Sequence, residues 1–159
     1  MPERFGALAA ALARDGLSVC LTGGPDDRAA AERARAAAGN AAVRDLVGQT
    51  SLRELVALSA RARLFVGCDT GPMHLAAALG VPVVALFGPA DPARTGPFGA
   101  GHVLVRVPPP CAPCGRKTCN QPRHACMEDL DVERVLAAVR ARLAEAPRAT
   151  PAPGKTHVS

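Results

Sequence analysis

A short polar segment, residues 69–74, contains the side chains of this chain that are best suited to bind a polar ligand. Asp69 and His74 offer a carboxylate and an imidazole, which hydrogen-bond hydroxyls or phosphate oxygens. Thr70 is a candidate helix N-cap, and Gly71 lets a ligand approach the backbone closely. Helix N-termini also attract anions, because their first amides lack partners within the helix. Taken alone, the segment fits a phosphate or sugar site, or merely a capped helix with a satisfied histidine.

Alternating strands and helices are predicted to position this segment. Short apolar runs predict strands over residues 17–22, 43–46, 63–67, 81–87 and 102–107. A short helix is predicted after Thr70, and longer helices over residues 4–14, about 26–38, 51–60 and 131–143. Ser51 and Glu54 form a capping-box pattern at the start of the third of these. Strands separated by helices indicate a parallel sheet, whose ligands bind beyond the carboxyl ends of its strands.

Composition and charge narrow the classes of function. The chain has 159 residues, of which 48% are hydrophobic, and its formal net charge is +5. A basic chain can bind nucleic acid, but this one has no Trp or Tyr and only 4 Phe, so side chains for base stacking are scarce. No apolar run reaches the ~18 residues of a membrane span, and the first residues lack the pattern of a signal peptide. We therefore expect a cytoplasmic protein that does not bind nucleic acid.

The chain is predicted to form one folded domain followed by a tail. Its length suits a single domain, which we place at residues 1–144 and which includes a cysteine-rich loop over residues 108–126. Residues 145–159 are rich in proline and offer little apolar surface to bury. We expect this tail to be disordered.

Four of the 6 cysteines share that loop, in the pattern Cys111-x2-Cys114-x4-Cys119-x6-Cys126. Thiolates so close in sequence can hold a tetrahedral zinc ion or an iron–sulfur cluster, and His124 can replace one ligand. The spacing is not the paired C-x2-C of a zinc ribbon, so it does not identify the metal. The alternative is a set of free or redox-labile thiols in an exposed loop.

The order of several motifs resembles glycosyltransferase family 9, the ADP-heptose:lipopolysaccharide heptosyltransferases and their relatives. The strongest likeness is residues 69–78, Asp-Thr-Gly-Pro-Met-His-Leu-Ala-Ala-Ala, followed by Gly-Val-Pro-Val-Val-Ala-Leu-Phe-Gly-Pro at residues 80–89. Three further segments agree in order, at residues 19–25, 47–55 and 91–97. The resemblance covers roughly residues 2–144.

This resemblance implies a Rossmann-like parallel sheet flanked by helices, the C-terminal half of a GT-B glycosyltransferase. That half binds the nucleotide-sugar donor, whereas the acceptor site and the catalytic base belong to an N-terminal half that the chain does not match. No catalytic residue is therefore assigned. We expect the chain to be inactive alone, as a natural fragment, the product of a misplaced start codon or one part of a split enzyme.

The resemblance also implies a reaction and a set of donor-binding residues. The reaction transfers a sugar from ADP-heptose, or a similar nucleotide sugar, to lipid A or the core oligosaccharide of lipopolysaccharide. The diphosphate and sugar are expected to contact Asp69, Thr70, Gly71 and His74. The donor is also expected near Gly23, Gly24 and Asp27, with Asp27 bonding ribose hydroxyls unless it only complements the helix dipole. The base is expected to border Thr50, Ser51 and Leu52.

Cofactors and partners follow from the same resemblance. No cofactor is required for transfer, so a metal at the cysteine loop would be structural. The acceptor would be reached through the N-terminal half, with peripheral association at the inner face of the inner membrane. The alternative is a non-catalytic nucleotide-binding fragment or a regulatory module.

Overall fold

The computed structural model describes residues 2–39 and 41–145, which form five strands and seven α-helices. The strands are β1 Val19–Leu21, β2 Val43–Asp45, β3 Phe65–Cys68, β4 Val83–Phe87 and β5 Val103–Arg106. The helices are α1 Pro2–Arg14, α2 Arg28–Ala38, α3 Leu52–Ala60, α4 Gly71–Ala78, α5 Pro92–Thr95, α6 Ala125–Glu128 and α7 Val132–Glu145. Helix α7 includes Glu145, the first residue of the predicted tail, and residues 146–159 lie outside the described residues.

The strands pair in parallel, as predicted, but the described residues form two sheets instead of one. Strand β1 pairs with β2, with Val19 opposite Val43, and the second sheet has the order β3-β4-β5. Strand β1 has only three residues, which limits the amide and carbonyl groups that it can offer a second neighbour. The two sheets still share a core, because Val19 of β1 and Val66 of β3 pack against the same apolar cluster.

Strand β4 is the centre of the fold, and its residues alternate between two apolar layers. Val84 and Leu86 belong to a cluster with residues of α1 and α7, whereas Val83, Ala85 and Phe87 belong to a cluster with residues of α4. All five side chains are buried. Helices therefore cover both faces of this sheet, the arrangement that the continuous apolar run at residues 81–87 predicts.

Helices α1 and α2 approach each other closely at Gly6. A Cβ atom at this glycine would overlap the carbonyl oxygen of Ala34 and would lie 2.9 Å from the Cβ atom of Ala37. Small residues on both helices, including the buried Ala9 and Ala34, permit the contact. The position of α1 against α2 therefore depends on the missing side chain.

We expect Gly6→Ala to lower the free energy of unfolding by about 1–3 kcal/mol, because the overlap is with backbone and the helices must separate. Helix propensity alone predicts the opposite sign, a gain of up to about 1 kcal/mol. Urea unfolding followed by circular dichroism measures whether the variant is less stable or more stable than the original chain. A more stable variant would show that α1 and α2 do not pack at Gly6.

Candidate functional site

The candidate site lies where the strands end at their carboxyl sides. The turns after β1 and β2 are joined there, because the amide of Gly48 donates to the carbonyl of Gly23 at 3.0 Å. Arg28 strengthens the junction: its guanidinium is paired with the Asp45 carboxylate and donates to the Val47 carbonyl at 3.1 Å. Neither Arg28 nor Asp45 was among the sequence candidates.

Asp69 is held in place by two side chains. The hydroxyl of Thr95 donates to Asp69 Oδ2 at 2.6 Å, and His74 Nε2 lies 3.4 Å from Asp69 Oδ1. The Asp69 side chain is still 23% exposed and that of His74 is 47% exposed, so solvent reaches both. The carboxylate is therefore oriented by the protein and open to a ligand.

Thr95 reaches Asp69 from helix α5, which follows β4. Asp91 starts this helix, since its Oδ1 accepts from the amide of Ala93 at 3.0 Å. The sequence analysis missed Thr95. The available signal was the Asp-Pro-Ala-Arg-Thr stretch, whose Asp-Pro start is typical of a capped helix at the end of a strand.

Thr70 occupies the N-cap position of α4, but its hydroxyl does not have the predicted role. It donates to the carbonyl of Cys68 at 3.3 Å and accepts no amide of the helix. The carbonyl of Thr70 instead accepts from the amides of Met73 and His74, at 3.0 and 3.3 Å. The Thr70 backbone is extended, as at an ordinary N-cap, but its hydroxyl is bonded to the strand instead of to the helix.

Gly71 begins α4 and leaves open space at the helix N-terminus. No heavy atom within the described part of the chain, apart from neighbours along the backbone, lies within 4 Å of where its Cβ atom would be. A ligand can therefore approach the Gly71 amide at the start of α4, where the helix dipole favours negative charge. Pro72 has no amide hydrogen, and the amides of Met73 and His74 donate to Thr70.

Asp27 folds back over the glycine turn that precedes α2. Its Oδ2 accepts from the amide of Gly24 at 2.9 Å and would lie 2.8 Å from a Cβ atom at Gly23. The glycine at position 23 therefore makes room for the carboxylate of Asp27. This contact shapes the turn, and the role of Asp27 toward a ribose stays a prediction.

The segment from Thr50 to Leu52 caps α3 and exposes an apolar side chain. Ser51 and Glu54 form the predicted capping box: Ser51 Oγ accepts from the Glu54 amide at 3.3 Å, and the Ser51 amide donates to Glu54 Oε2 at 2.7 Å. Hydrogen bonds from Ser51 lower the pKa of the Glu54 carboxyl. Leu52 is 72% exposed beside this cap, an apolar surface of the kind that a nucleotide base can cover.

The four loop cysteines line one cavity of about 170 Å³ beside Pro89. Cys126 is buried, whereas Cys111, Cys114 and Cys119 are exposed. Burial raises the pKa of the Cys126 thiol, and the three neighbouring cysteines raise it further. Within residues 2–39 and 41–145, no three His, Cys, Asp or Glu side chains are close enough together to hold a metal ion. As placed, the thiols do not form the predicted zinc or iron–sulfur site, because three of them lie on an exposed, irregular segment.

Comparison with known protein families identifies the family of the chain that carries this site. The sequence model of glycosyltransferase family 9 (heptosyltransferase) matches residues 2–124. The chain belongs to glycosyltransferase family 9. The match includes every donor-site candidate at the carboxyl edge of the sheets and ends within the cysteine loop.

Relatives within family 9 share both sequence and fold with the chain. The chain is 44% identical to lipopolysaccharide heptosyltransferase 1 of Pseudomonas aeruginosa over 133 residues, which are 80% of this chain and 36% of the relative. It is similar to the structure of E. coli ADP-heptose lps heptosyltransferase II, with a TM-score of 0.78 and 31% identity over 91% of this chain and 42% of that one.

A third family 9 relative was solved with ligands. It is the E. coli heptosyltransferase WaaC with ADP, which gives a TM-score of 0.71 at 27% identity over 89% of this chain and 39% of that one. WaaC with ADP-2-deoxy-2-fluoro heptose gives a TM-score of 0.67. The chain thus spans about two fifths of the length of these family 9 proteins.

The structure brings some of the candidate residues into direct contact and leaves others apart. Asp69 and His74 are in contact, and the glycine turn lies against Asp27. Thr70 and Gly71 adjoin Asp69 in the turn after β3, whereas Thr50, Ser51 and Leu52 follow β2 as a separate group. Among the described helices, none is long and apolar enough to cross a membrane.

Proposed function

We propose that this chain is the donor-binding domain of a heptosyltransferase and binds ADP-heptose or a similar nucleotide sugar. The observation that carries the proposal is the Asp69 carboxylate, held by Thr95 and His74 beside the open N-terminus of α4. The relatives support the proposal, because the curated ones are lipopolysaccharide heptosyltransferases and WaaC was solved with ADP. They also disfavour the non-catalytic alternative.

The geometry suits a sugar donor whose leaving group is a nucleoside diphosphate. Negative charge grows on the β-phosphate as the bond to the sugar breaks. The Gly71 amide and the positive end of the α4 dipole stabilise that charge, and the missing side chain of Gly71 allows the approach. Asp69 accepts hydrogen bonds from sugar hydroxyls, and His74 contributes a ring nitrogen beside it.

The remaining donor candidates recognise the nucleoside. Leu52 offers its exposed side chain to the base, next to Thr50 and the capped Ser51. Asp27 presents its carboxylate to the ribose from the glycine turn. The neutral apolar contact of Leu52 gives little discrimination between bases, so preference for adenine depends on backbone groups of this segment.

Transfer requires groups that we place on a complementary N-terminal domain. The relatives are more than twice as long as the matched region, and their additional length accommodates such a domain. We propose lipid A or core oligosaccharide as the acceptor bound there. The cytoplasmic location and the peripheral association with the inner membrane stay predictions.

Calorimetric titration of the purified chain with ADP, ADP-heptose, UDP and GDP tests the proposal. We expect ADP and ADP-heptose to bind in preference to the other two nucleotides. Preference for UDP or GDP would contradict the assigned donor, and failure of all four would contradict donor binding by this domain alone. Adding a family 9 N-terminal domain and measuring heptose transfer then separates an enzyme half from a binding module.

Thr95 is expected to act as a positioning residue through Asp69. Thr95→Val keeps the shape of the side chain but removes the hydrogen bond to Oδ2, worth about 0.5–1.5 kcal/mol. Affinity for ADP-heptose should fall about 3–10-fold. Thr95→Ser keeps the hydroxyl and should retain most of the affinity for ADP-heptose. Titration of both variants checks this, and equal affinities for Val and Ser would show that the hydroxyl does not orient the carboxylate.

A further inference from the structure

The positive charge of the chain is concentrated in one segment, residues 92–127. This segment contains five Lys and Arg residues and no Asp or Glu, whereas the whole chain has 14 acidic residues. Its five cations equal the formal net charge of +5, so positive and negative side chains balance over the rest of the chain. A surface of a single sign attracts partners of the opposite sign.

Two of these cations lie at the ends of β4 and β5. Arg106 is the last residue of β5 and is in register with Phe87, the last residue of β4. Arg94 lies on α5, the helix that follows β4 and reaches Asp69 through Thr95. Both cations therefore lie at the carboxyl edge of this sheet, next to the candidate donor site.

The cysteine loop brings two more cations to the same edge. The amide of Gly115 donates to the carbonyl of Pro89 at 2.8 Å, and Pro89 lies just beyond β4. Arg116 and Lys117 follow Gly115 directly. We refer to the four cations at this edge as the basic edge: Arg94, Arg106, Arg116 and Lys117.

The side chains of the basic edge are available to an anionic partner. Within residues 2–39 and 41–145, none of the four cations pairs with a carboxylate. Three of them are exposed, and Arg106 is half-buried. The fifth cation of the segment differs, because Arg123 pairs with Asp129 at 2.6 Å. Unpaired charges of one sign repel each other in the free protein, and an anionic partner relieves that repulsion.

The ends of β1 and β2 are mixed in charge. Asp26, Asp27 and Asp45 lie there together with Arg28, which is paired with Asp45. An anionic surface is therefore attracted to the ends of β4 and β5 and not to the turns that we propose for the nucleoside. A partner on the basic edge leaves these turns open to the donor.

We propose that the basic edge binds the anionic headgroups of a membrane surface. A cluster of about four or more Lys and Arg side chains is sufficient to attract such headgroups. Each cation close to the surface strengthens binding by about fivefold, so four cations give a weak, reversible contact. The domain would thus rest on the membrane by charge, with its donor site beside the contact.

Nucleic acid is the other common polyanion, and the position of the aromatic side chains disfavours it. Proteins that hold single strands usually stack bases on aromatic rings. Phe98 is the one Phe, Tyr or Trp residue of the segment, and its carbonyl oxygen lies 3.0 Å from His102 Nε2. His102 Nδ1 in turn accepts from the amide of Val83, the first residue of β4. Phe98 therefore lies at the amino end of β4, away from the basic edge.

The inference rests on the proposed function in one respect, that the acceptor is carried by a membrane. A membrane at the basic edge holds such an acceptor next to the candidate donor site. Binding to vesicles is measured without any nucleotide. A failure of membrane binding is therefore distinguishable from a failure of donor binding.

Sedimentation of the full chain with lipid vesicles tests the proposal. Vesicles that mix phosphatidylglycerol with phosphatidylcholine should bind the chain, whereas vesicles of phosphatidylcholine alone should not. Raising the ionic strength to about 1 M shortens the Debye length to about 3 Å and should release the bound chain. These measurements need no variant.

A pair of double variants locates the contact. Arg116→Gln combined with Lys117→Gln should weaken binding to the anionic vesicles by about 10–30-fold. The matched control, Arg61→Gln combined with Arg63→Gln, removes the same charge from two exposed residues that precede β3, at the opposite edge of the sheet. Its affinity should change by less than about threefold, because charges beyond a Debye length of about 10 Å are largely screened. All four positions are exposed, so circular dichroism should show both variants folded.

Three results would overturn the proposal. One is the same binding, or the same lack of binding, for the anionic and the neutral vesicles. Another is equal weakening by the two double variants, which would show a response to net charge and not to the basic edge. The last is tighter binding of single-stranded RNA than of anionic vesicles, which would assign the basic edge to nucleic acid.

Discussion

Replacing Asp69 with alanine should weaken binding of ADP-heptose by about 10–100-fold while leaving the domain folded. Hydrogen bonds to a charged group are worth about 1.5–3 kcal/mol, and each 1.4 kcal/mol corresponds to a factor of ten in affinity. The side chain is partly exposed, and its partners among the described residues are Thr95 and His74, so truncation there leaves no buried charge without a partner. Calorimetry and thermal unfolding of the variant measure the two quantities separately.

Two comparisons make the Asp69 experiment specific. ADP alone should lose less affinity than ADP-heptose, because the carboxylate bonds the sugar and not the phosphates. Asp15→Ala is the control, because it removes another carboxylate, one that pairs with Arg140. Asp15 precedes β1 and therefore lies at the opposite end of that strand from the candidate site. This variant should bind the donor normally. Equal loss for ADP and ADP-heptose would remove Asp69 from the sugar site.

The parts of the fold that follow from local pattern were predictable from the sequence. The apolar run at 81–87 becomes β4, because its short length and its valines favour a strand that is covered on both faces. Ser51 caps α3 because Ser and Glu three residues apart satisfy each other's amides whatever surrounds them. Alternation of strands and helices was enough to indicate a parallel arrangement.

The contacts that define the site depend on geometry between distant residues. Thr95 and Asp69 are separated by β4 in sequence, and no periodic pattern links a hydroxyl on one turn to a carboxylate on another. The hydroxyl of Thr70 donates back to the Cys68 carbonyl, although Thr70 has the same N-cap position and extended backbone as Ser51. The sequence therefore placed the candidate residues on their turns, and the structure supplied the orientation of their side chains.

Cys126 and Asp27 show the same difference between what the sequence predicts and what the structure adds. The cysteine pattern predicted Cys126 as a metal ligand, and the family resemblance implied that Asp27 bonds a ribose. In the structure the Asp27 carboxylate is engaged with its own turn, and Cys126 alone among the loop cysteines is buried. Whether a group is available to a ligand depends on such local contacts, which a motif does not encode.

Gly71→Ala should reduce affinity for ADP by about tenfold or more without loss of stability. The position is helical, and apart from its own helix backbone no heavy atom of the described residues lies within 4 Å of the new Cβ atom, so the free protein accommodates alanine. Alanine also favours a helix over glycine by up to about 1 kcal/mol. The methyl group occupies the space through which a phosphate reaches the Gly71 amide and the positive end of the α4 dipole. Loss of affinity would then arise from exclusion of the ligand alone.

Adenosine provides the internal control for Gly71→Ala, because it lacks the phosphates that the methyl group would meet. Its affinity should be the same for both proteins, whereas that for ADP and ADP-heptose should fall. Thermal unfolding of the variant should occur at the same temperature or higher. If ADP binds the variant as well as the original chain, the diphosphate does not lie on the N-terminus of α4, and the charge that develops on it must be stabilised elsewhere. Asp69 would then act on the sugar without a phosphate anchor in this domain.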